Sequence, residues 1–389
     1  VTGTPTAGAR PDEVRRHNRT ALLRRLHVDG PSTRASLAAS LGLNRSTIKA
    51  LVDELAEAGV VVERLPRLRS GAGRPSLLVL PQPHAAVVLA VDIRVDQVAI
   101  ALVGLGGDTL GRNSWNLHGR AREPAEVITH VIESAALLAA DLDLGIVGAG
   151  VSVPGVVRRH DGFVHEAPNL HWRDIPLGDR LSAALGVPVR VANDAEIAAT
   201  AEHLRGAAKG STDAVYVSAD VGVGGGVISD GTTLRGTAGY VGELGHMVVN
   251  PAGSPCYCGS RGCWETEVGE QALCRALGLP DGTPRGALMA ELRALPPHEA
   301  TTRLSTFAEW LTLGLVNIVN AFGPSLVVLG DLFTALPPTL VAATATDIAA
   351  RSLVSRAIGG TTLTTSTLGP DVKLVGAAEL AFEPALNAV

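Results

Sequence analysis

The chain has 389 residues, enough for two or three domains that each bury a core. Aromatics make up only 3% of it, which argues against ligand binding by stacked rings, and no apolar run approaches the ~20 residues that span a bilayer. The net charge of −5 is unevenly shared: residues 1–81 hold 13 Arg/Lys against 7 Asp/Glu (+6), and the remainder holds 20 against 31 (−11). A basic front on an acidic body points to a nucleic-acid-binding module joined to something else. The opening VTGTPTAGARPDEVRRHN has no signal-peptide pattern, so a cytoplasmic protein with no membrane partner is expected.

Residues 12–29 place Val14, Leu22, Leu23 and Leu26 on one helical face with arginines on the other, and Gly30-Pro31 ends that helix. Ser32 or Thr33 can cap a short helix carrying Leu37, Ala38 and Leu41, which Gly42 breaks. Asn44 or Ser46 can cap the next helix, with Ile48, Leu51, Val52 and Leu55 facing inward and Gly59 ending it. Two short helices around a Gly-containing turn form a helix-turn-helix. VVERLPRLRSGAGRPSLLVL then reads as a wing of two strands, with Arg67, Arg69 and Arg74 in its loop. Thr33, Arg34, Asn44, Arg45, Ser46, Thr47, Lys49, Arg69 and Arg74 are the candidate contacts to double-stranded operator DNA.

Pro81-Gln82-Pro83 make a plausible hinge. Beyond it, AAVVLAVDIRVDQVAIALVGLGGDTL reads as three strands with turns, and DAVYVSADVGVGGGVISDGTTL has the same design. Helical segments at 123–140, 265–279 and 300–322 alternate with the strand runs IVGAGVSVPG, PVRVAND and SLVVLGD. This is a repeated α/β unit. With GVGGGVISDGTTLRGTAGYVGELGH followed by CYCGSRGCWE, residues 85–385 resemble the ROK family of repressors, open reading frames and kinases. The resemblance implies an actin/hexokinase-like duplicated α/β body, and the basic front places the chain beside the repressor branch. The expected division is a winged helix-turn-helix over 1–81, a smaller lobe over 82–195 completed by 371–389, and a larger lobe over 196–370 that carries a metal site and the oligomer contacts.

Cys256, Cys258, Cys263 and His246 supply three thiolates and one imidazole, a closed tetrahedral set of the kind structural zinc prefers. Gly259 and Gly262 allow the tight turns between the sulfurs. A disulfide within the trio is the alternative, and a reducing cytoplasm disfavours it. The His-x9-Cys gap is unusual for a zinc finger, and the resemblance adds that this His and these cysteines are the family's zinc ligands. Cys274 reads as a small core residue.

Asn193 and Asp194 stand where a strand meets a helix, so either can be an N-cap. The resemblance implies that both contact sugar hydroxyls, with Asp194 in the position of the kinase base, and that Glu243, His246 and Glu265 join them. It also implies that Pro154, Gly155 and Asn169 line the same cleft.

The family's kinases read Asp-Ile-Gly-Gly-Thr in the first ATP loop, and this chain reads Asp92-Ile93-Arg94-Val95-Asp96. In the second loop Asp220-Val221 replace Gly-Thr before Gly222, Gly224, Gly225 and Gly226, a run whose plain role is a tight strand-to-strand turn. The third reads Leu329-Gly330-Asp331-Leu332. Asp96 and Asp220 would face a polyphosphate, and like charges at ~4 Å repel by about 4 kcal/mol at an effective dielectric near 20. The expectation is a sugar-responsive repressor, homodimeric or homotetrameric, with structural Zn2+ and no kinase activity. Its rivals are an active ATP-dependent sugar kinase with a DNA-binding front, and a regulator whose body no longer binds sugar.

Overall fold

The structure, a computed structural model, describes residues 10–66, 76–117 and 123–388. The front begins with α1 (Pro11–Asp29), whose Leu22, Leu23 and Leu26 are buried. A two-residue strand β1 (Ser32–Thr33) leads into α2 (Arg34–Leu41), capped by the Thr33 side chain, which accepts from the Ser36 N–H. Gly42 takes φ 64°, a left-handed conformation that costs glycine little, and so reverses the chain. Asn44 then caps α3 (Arg45–Glu57) by accepting from the Thr47 N–H, and Ile48, Leu51, Val52 and Leu55 fill the core beneath it. Strands β2 (Val61–Arg64) and β3 (Leu78–Pro81) pair antiparallel, and β1 adds to β3 to complete a three-stranded wing. Arg67, Arg69 and Arg74 of the wing loop lie outside the described residues.

The body repeats one sheet pattern. Strands β4 (Val87–Ile93), β5 (Gln97–Gly104) and β6 (Thr109–Asn116) form a meander, followed by α4 (Pro124–Leu142) and β7 (Gly148–Val153). A small antiparallel sheet of β8 (Val156–Arg158), β9 (Phe163–Ala167) and β10 (Trp172–Pro176) intervenes before α5 (Leu177–Leu185) and β11 (Val189–Asn193). After α6 (Asp194–Arg205) the pattern returns as β12 (Ala214–Ala219), β13 (Val223–Ser229) and β14 (Thr232–Thr233). Helices α7 (Trp264–Val268), α8 (Glu270–Ala276), α9 (Arg285–Ala294), α10 (Pro297–Arg303) and α11 (Ser305–Phe322) separate these from β15 (Leu326–Asp331). Then come α12 (Pro338–Arg351), α13 (Leu353–Ala357), β16 (Thr362–Thr365) and α14 (Val372–Ala388). The two five-stranded sheets run β6-β5-β4-β7-β11 and β14-β13-β12-β15-β16. Numbered within each repeat, both orders are 3-2-1-4-5, which is the duplication the sequence echo predicts.

Contacts divide the described chain into two compact units. The first takes everything up to Val151, with Leu177–Arg190 and the end of the chain from Ala377; the second takes Ser152–Pro176 and Val191–Gly376. The front falls in the first of these units, and the β8–β10 sheet goes with the second. Within the first unit, His27 of α1 is buried against Phe382 of α14, with ring centroids 4.2 Å apart. Its Nδ1 accepts from the Gly106 N–H at 2.9 Å, so Nε2 carries the proton and donates to the Glu379 carboxylate at 3.2 Å. The second unit has a large apolar core in which Trp264, Leu273, Leu311, Leu315, Val327 and Phe333 are all buried.

The glycines at 224–226 lie inside β13 rather than in the turn before it. A Cβ on Gly224 would come 2.8 Å from that of Ala195, and one on Gly226 would collide with Ala199. The run therefore lets α6 pack directly on the strand; the tight-turn reading holds for Gly222, between β12 and β13, and is corrected for Gly224–Gly226.

Candidate functional site: a polar cluster beside a metal-ligand set

Every residue singled out for sugar or metal binding falls in the second unit. Asn193 ends β11 and caps α6: its Oδ1 accepts from the Ala195 and Glu196 N–H groups at 2.9 and 3.2 Å. Its Nδ2 donates to the Gly155 carbonyl at 3.0 Å. The capping reading thus holds for Asn193, and the same bonds tie α6 to the segment after β7. Gly155 has φ 106°, and a side chain there would collide with the Glu166 carbonyl. Asn169 sits on the 3-10 turn Pro168–Leu170, just past that same edge of β9. Asp194, the first residue of α6, keeps Oδ1 within 3.0 Å of the Ala195 N–H and Oδ2 within 2.8 Å of Lys373 Nζ.

The second group is built on a loop that folds back on itself. The Val249 and Asn250 N–H groups donate to the Gly262 carbonyl, and the Cys256 N–H donates to that of Ser260. Gly262, at φ 68°, lies so close to the Asn250 carbonyl that a side chain there would displace it. His246 Nδ1 stands 3.6 Å from Cys256 Sγ, Cys258 Sγ stands 3.6 Å from Cys263 Sγ, and all four ligand atoms lie within 4.8 Å of one another. Ligand atoms bonded tetrahedrally to zinc are about 3.3–3.8 Å apart, so the set fits a metal of that kind. Burial pushes the Cys256 and Cys263 thiols up, whereas the Ser260 backbone N–H pulls Cys258 down. Deprotonating all three thiols here would call for a cation to balance the charge.

His246 divides its two nitrogens. Nδ1 faces the sulfurs, while Nε2 lies 3.0 Å from the Tyr257 hydroxyl and 3.8 Å from a Glu243 oxygen. One ring can therefore be a metal ligand and still meet polar groups on its other side. Glu265, in the first turn of α7, has Oε1 at 2.9 Å from Cys256 Sγ and 3.5 Å from His246 Nδ1. Its Oε2 accepts from the Val223 N–H at 3.4 Å. Glu243 keeps an open outer edge, yet loss of surrounding water raises its carboxyl above the usual range, His246 opposing and the charges of Asp194 and Glu265 adding to the rise.

The ATP-loop positions hold their own ion pairs. Arg94 Nε donates to the buried Asp92 carboxylate at 2.6 Å. Asp220 is not a bare negative charge: Arg285 and Lys373 both bind it. The expected repulsion of phosphate by Asp220 is therefore corrected, because its charge is already compensated. Asp96 is exposed at the turn between β4 and β5. Arg285 and Lys373 carry no sequence signal, because their partner Asp220 lies 65 and 153 residues away; Tyr257 meets His246 only 11 residues away, but nothing in its residue type marks that contact.

On the front, Arg45, Ser46 and Lys49 are exposed on α3, and Thr47 is half-buried. A shallow groove runs between Arg45, Lys49, Thr33 and Leu77. Arg34 is bound by both Glu63 oxygens at 2.7 Å and by Asp53 at 2.7 Å, which raises its pKa further, hydrogen bonding to Glu63 foremost. It braces α2 against α3 and the wing. Asn44 and Thr33 use their side-chain oxygens as caps.

A helix-turn-helix with a wing, on a duplicated α/β body that carries a His/Cys3 set, defines a regulator-type protein of the ROK family. The ROK family profile matches residues 88–383 and a winged helix-turn-helix DNA-binding profile matches 15–62; the chain belongs to this family. It is 29% identical over 378 residues to the xylose repressor of Bacillus spizizenii, covering 97% of both chains. A crystal structure of a ROK family transcriptional regulator, a homologue of the Escherichia coli Mlc protein, shares the fold over 96% of this chain and 97% of its own, with a TM-score of 0.76 at 24% identity. A ROK family glucokinase from Streptomyces griseus, solved with glucose and AMPPNP, matches 77% of this chain and all of its own, with a TM-score of 0.61 at 28% identity. Among the described residues no helix is long and apolar enough to cross a membrane.

Proposed function

We propose that this protein is a DNA-binding transcriptional repressor whose ROK body binds a sugar as effector and has lost kinase activity. The observation that carries the reading is one chain pairing a winged helix-turn-helix with a ROK body, end to end like a xylose repressor. The exposed end of α3, with Arg45, Ser46 and Lys49, enters the major groove, and the wing meets phosphate. Asp194, Glu243, Glu265 and the free N–H of Asn193 supply acceptors and a donor for sugar hydroxyls, and an analogue lacking one hydroxyl leaves a group unmatched. Zinc held by His246, Cys256, Cys258 and Cys263 is structural: with four protein ligands it has no open position for chemistry. It fixes the loop that carries Tyr257 and the start of α7. The protein works as a homo-oligomer on a symmetric operator.

Loss of phosphoryl transfer is supported by the loops: Arg94, paired with Asp92, and an aspartate at 331 put side chains where backbone would be open to phosphate. The test is calorimetry against a panel of pentoses, hexoses and amino sugars, D-xylose first, joined to an operator-binding assay at several salt concentrations. A sugar that binds and weakens operator affinity supports the proposal, as does affinity that falls linearly in log salt. No response to any sugar, or turnover with ATP in a coupled kinase assay, would sink it.

A further inference from the structure

The second unit encloses a lysine that no sequence motif singles out. Lys373, in the first turn of α14, is 1% exposed. Its Nζ lies 2.8 Å from Asp194 Oδ2, 3.1 Å from Asp220 Oδ2 and 3.3 Å from Asp331 Oδ2. Arg285 holds the other oxygen of Asp220. These groups number three carboxylates and two cations, a local charge of −1.

Two features show that this arrangement is held against local preference. A buried ammonium loses its hydration, and a cation in the first turn of a helix opposes the helix dipole. Asp331, at the end of β15, takes φ 49° and ψ −123°, a conformation that strains any residue but glycine. Both are accepted where the carboxylates and the ammonium meet. The meeting point is also distinctive in the fold. β12 and β15 are parallel, with Ala219 opposite Asp331, so Asp220, one residue past β12, and Asp331, the last of β15, stand at the carboxyl edge of the sheet. That edge is where open α/β sheets bind their ligands, and clustered carboxylates there ordinarily take a divalent cation.

We infer that Lys373 is a built-in counter-cation: its ammonium takes the place of a divalent cation among Asp194, Asp220 and Asp331. By the same contact it is a positioning residue: it occupies Asp194 Oδ2 and fixes the carboxylate, so that Asp194 accepts a hydroxyl hydrogen bond and does not act as a base. The second statement rests on the sugar-pocket reading above; the first does not.

The experiment is Mn2+ binding followed by electron paramagnetic resonance, on the full chain, for wild type and Lys373→Met. Wild type takes up no Mn2+ at this cluster. The variant gains one site per chain, and Asp331→Asn in the same background weakens it at least tenfold. Because three carboxylates left with Arg285 as their cation can prevent folding, Lys373→Met with Asp220→Asn serves as the second variant. It leaves Asp194 and Asp331 with Arg285, again a charge of −1, and still gains the site. Wild type binding Mn2+ as tightly as the variants, or a folded variant that takes up none, overturns the counter-cation. Calorimetry with the sugar that wild type binds reads the second statement: affinity falls tenfold or more in Lys373→Met, and unchanged affinity overturns the positioning role. If wild type binds no sugar at all, the sugar-pocket reading fails, while the Mn2+ result still decides the place of Lys373.

Discussion

At the scale of single residues, several side chains serve two neighbours at once. His246 offers Nδ1 to the sulfurs and Nε2 to Tyr257, and Asn193 both caps α6 and binds the Gly155 carbonyl. Through His246 the proposed metal site and the polar groups beside it become interdependent. Cys258→Ser should therefore lose the metal and also weaken the effector response. Elemental analysis is expected to fall from one zinc per chain to near none, with a lower melting temperature, because metal binding and folding of such a loop are coupled. A variant that kept zinc, or that lost it and responded to sugar as wild type does, would separate the metal from the pocket.

At the scale of elements, the front is held by ion pairs more than its charge excess suggests. Glu54 of α3 binds Arg15 and Arg19 of α1, and hydrogen bonding to Arg15 is the chief cause of its lowered pKa. A carboxyl whose folded pKa lies below its unfolded value stabilises the fold above that unfolded value, 4.5 here, and loses this as pH falls through the folded one. Glu54→Gln should thus lower stability at pH 7 by less than ~1 kcal/mol, since the pair is partly exposed. Denaturation at a series of pH values reads this, and the gap between wild type and variant should close in acid. A gap that widened in acid would mean that Glu54 is not acting as a charge. Lys49, paired with Asp53 at 2.5 Å, and Arg34 show the same economy of free charge on the DNA-reading side.

At the scale of the whole molecule, the front does more than hang from a hinge. His27 of α1 reaches Gly106 and α14, and the residues it meets lie 79 and 352 positions away in sequence. His27→Ala removes a buried donor from Glu379 and a ring from Phe382, and should cost about 2–4 kcal/mol. Chemical denaturation checks it; a loss under ~0.5 kcal/mol would show that the front is not anchored there.

Sequence alone carried the helix-turn-helix, because caps, breakers and a 3.6-residue apolar rhythm are local: Thr33, Gly42 and Asn44 do what their types predict. It also carried the duplicated sheets and the His/Cys3 set, whose members fall within 18 residues. It misread the Gly224–Gly226 run, because the need for glycine there comes from Ala195 and Ala199 on a packed helix. It gave Asp220 a bare charge, because Lys373 and Arg285 stand 153 and 65 residues away. Only tertiary structure decides which charges are compensated, since a Coulomb pair depends on distance in space and leaves no period or spacing in the chain.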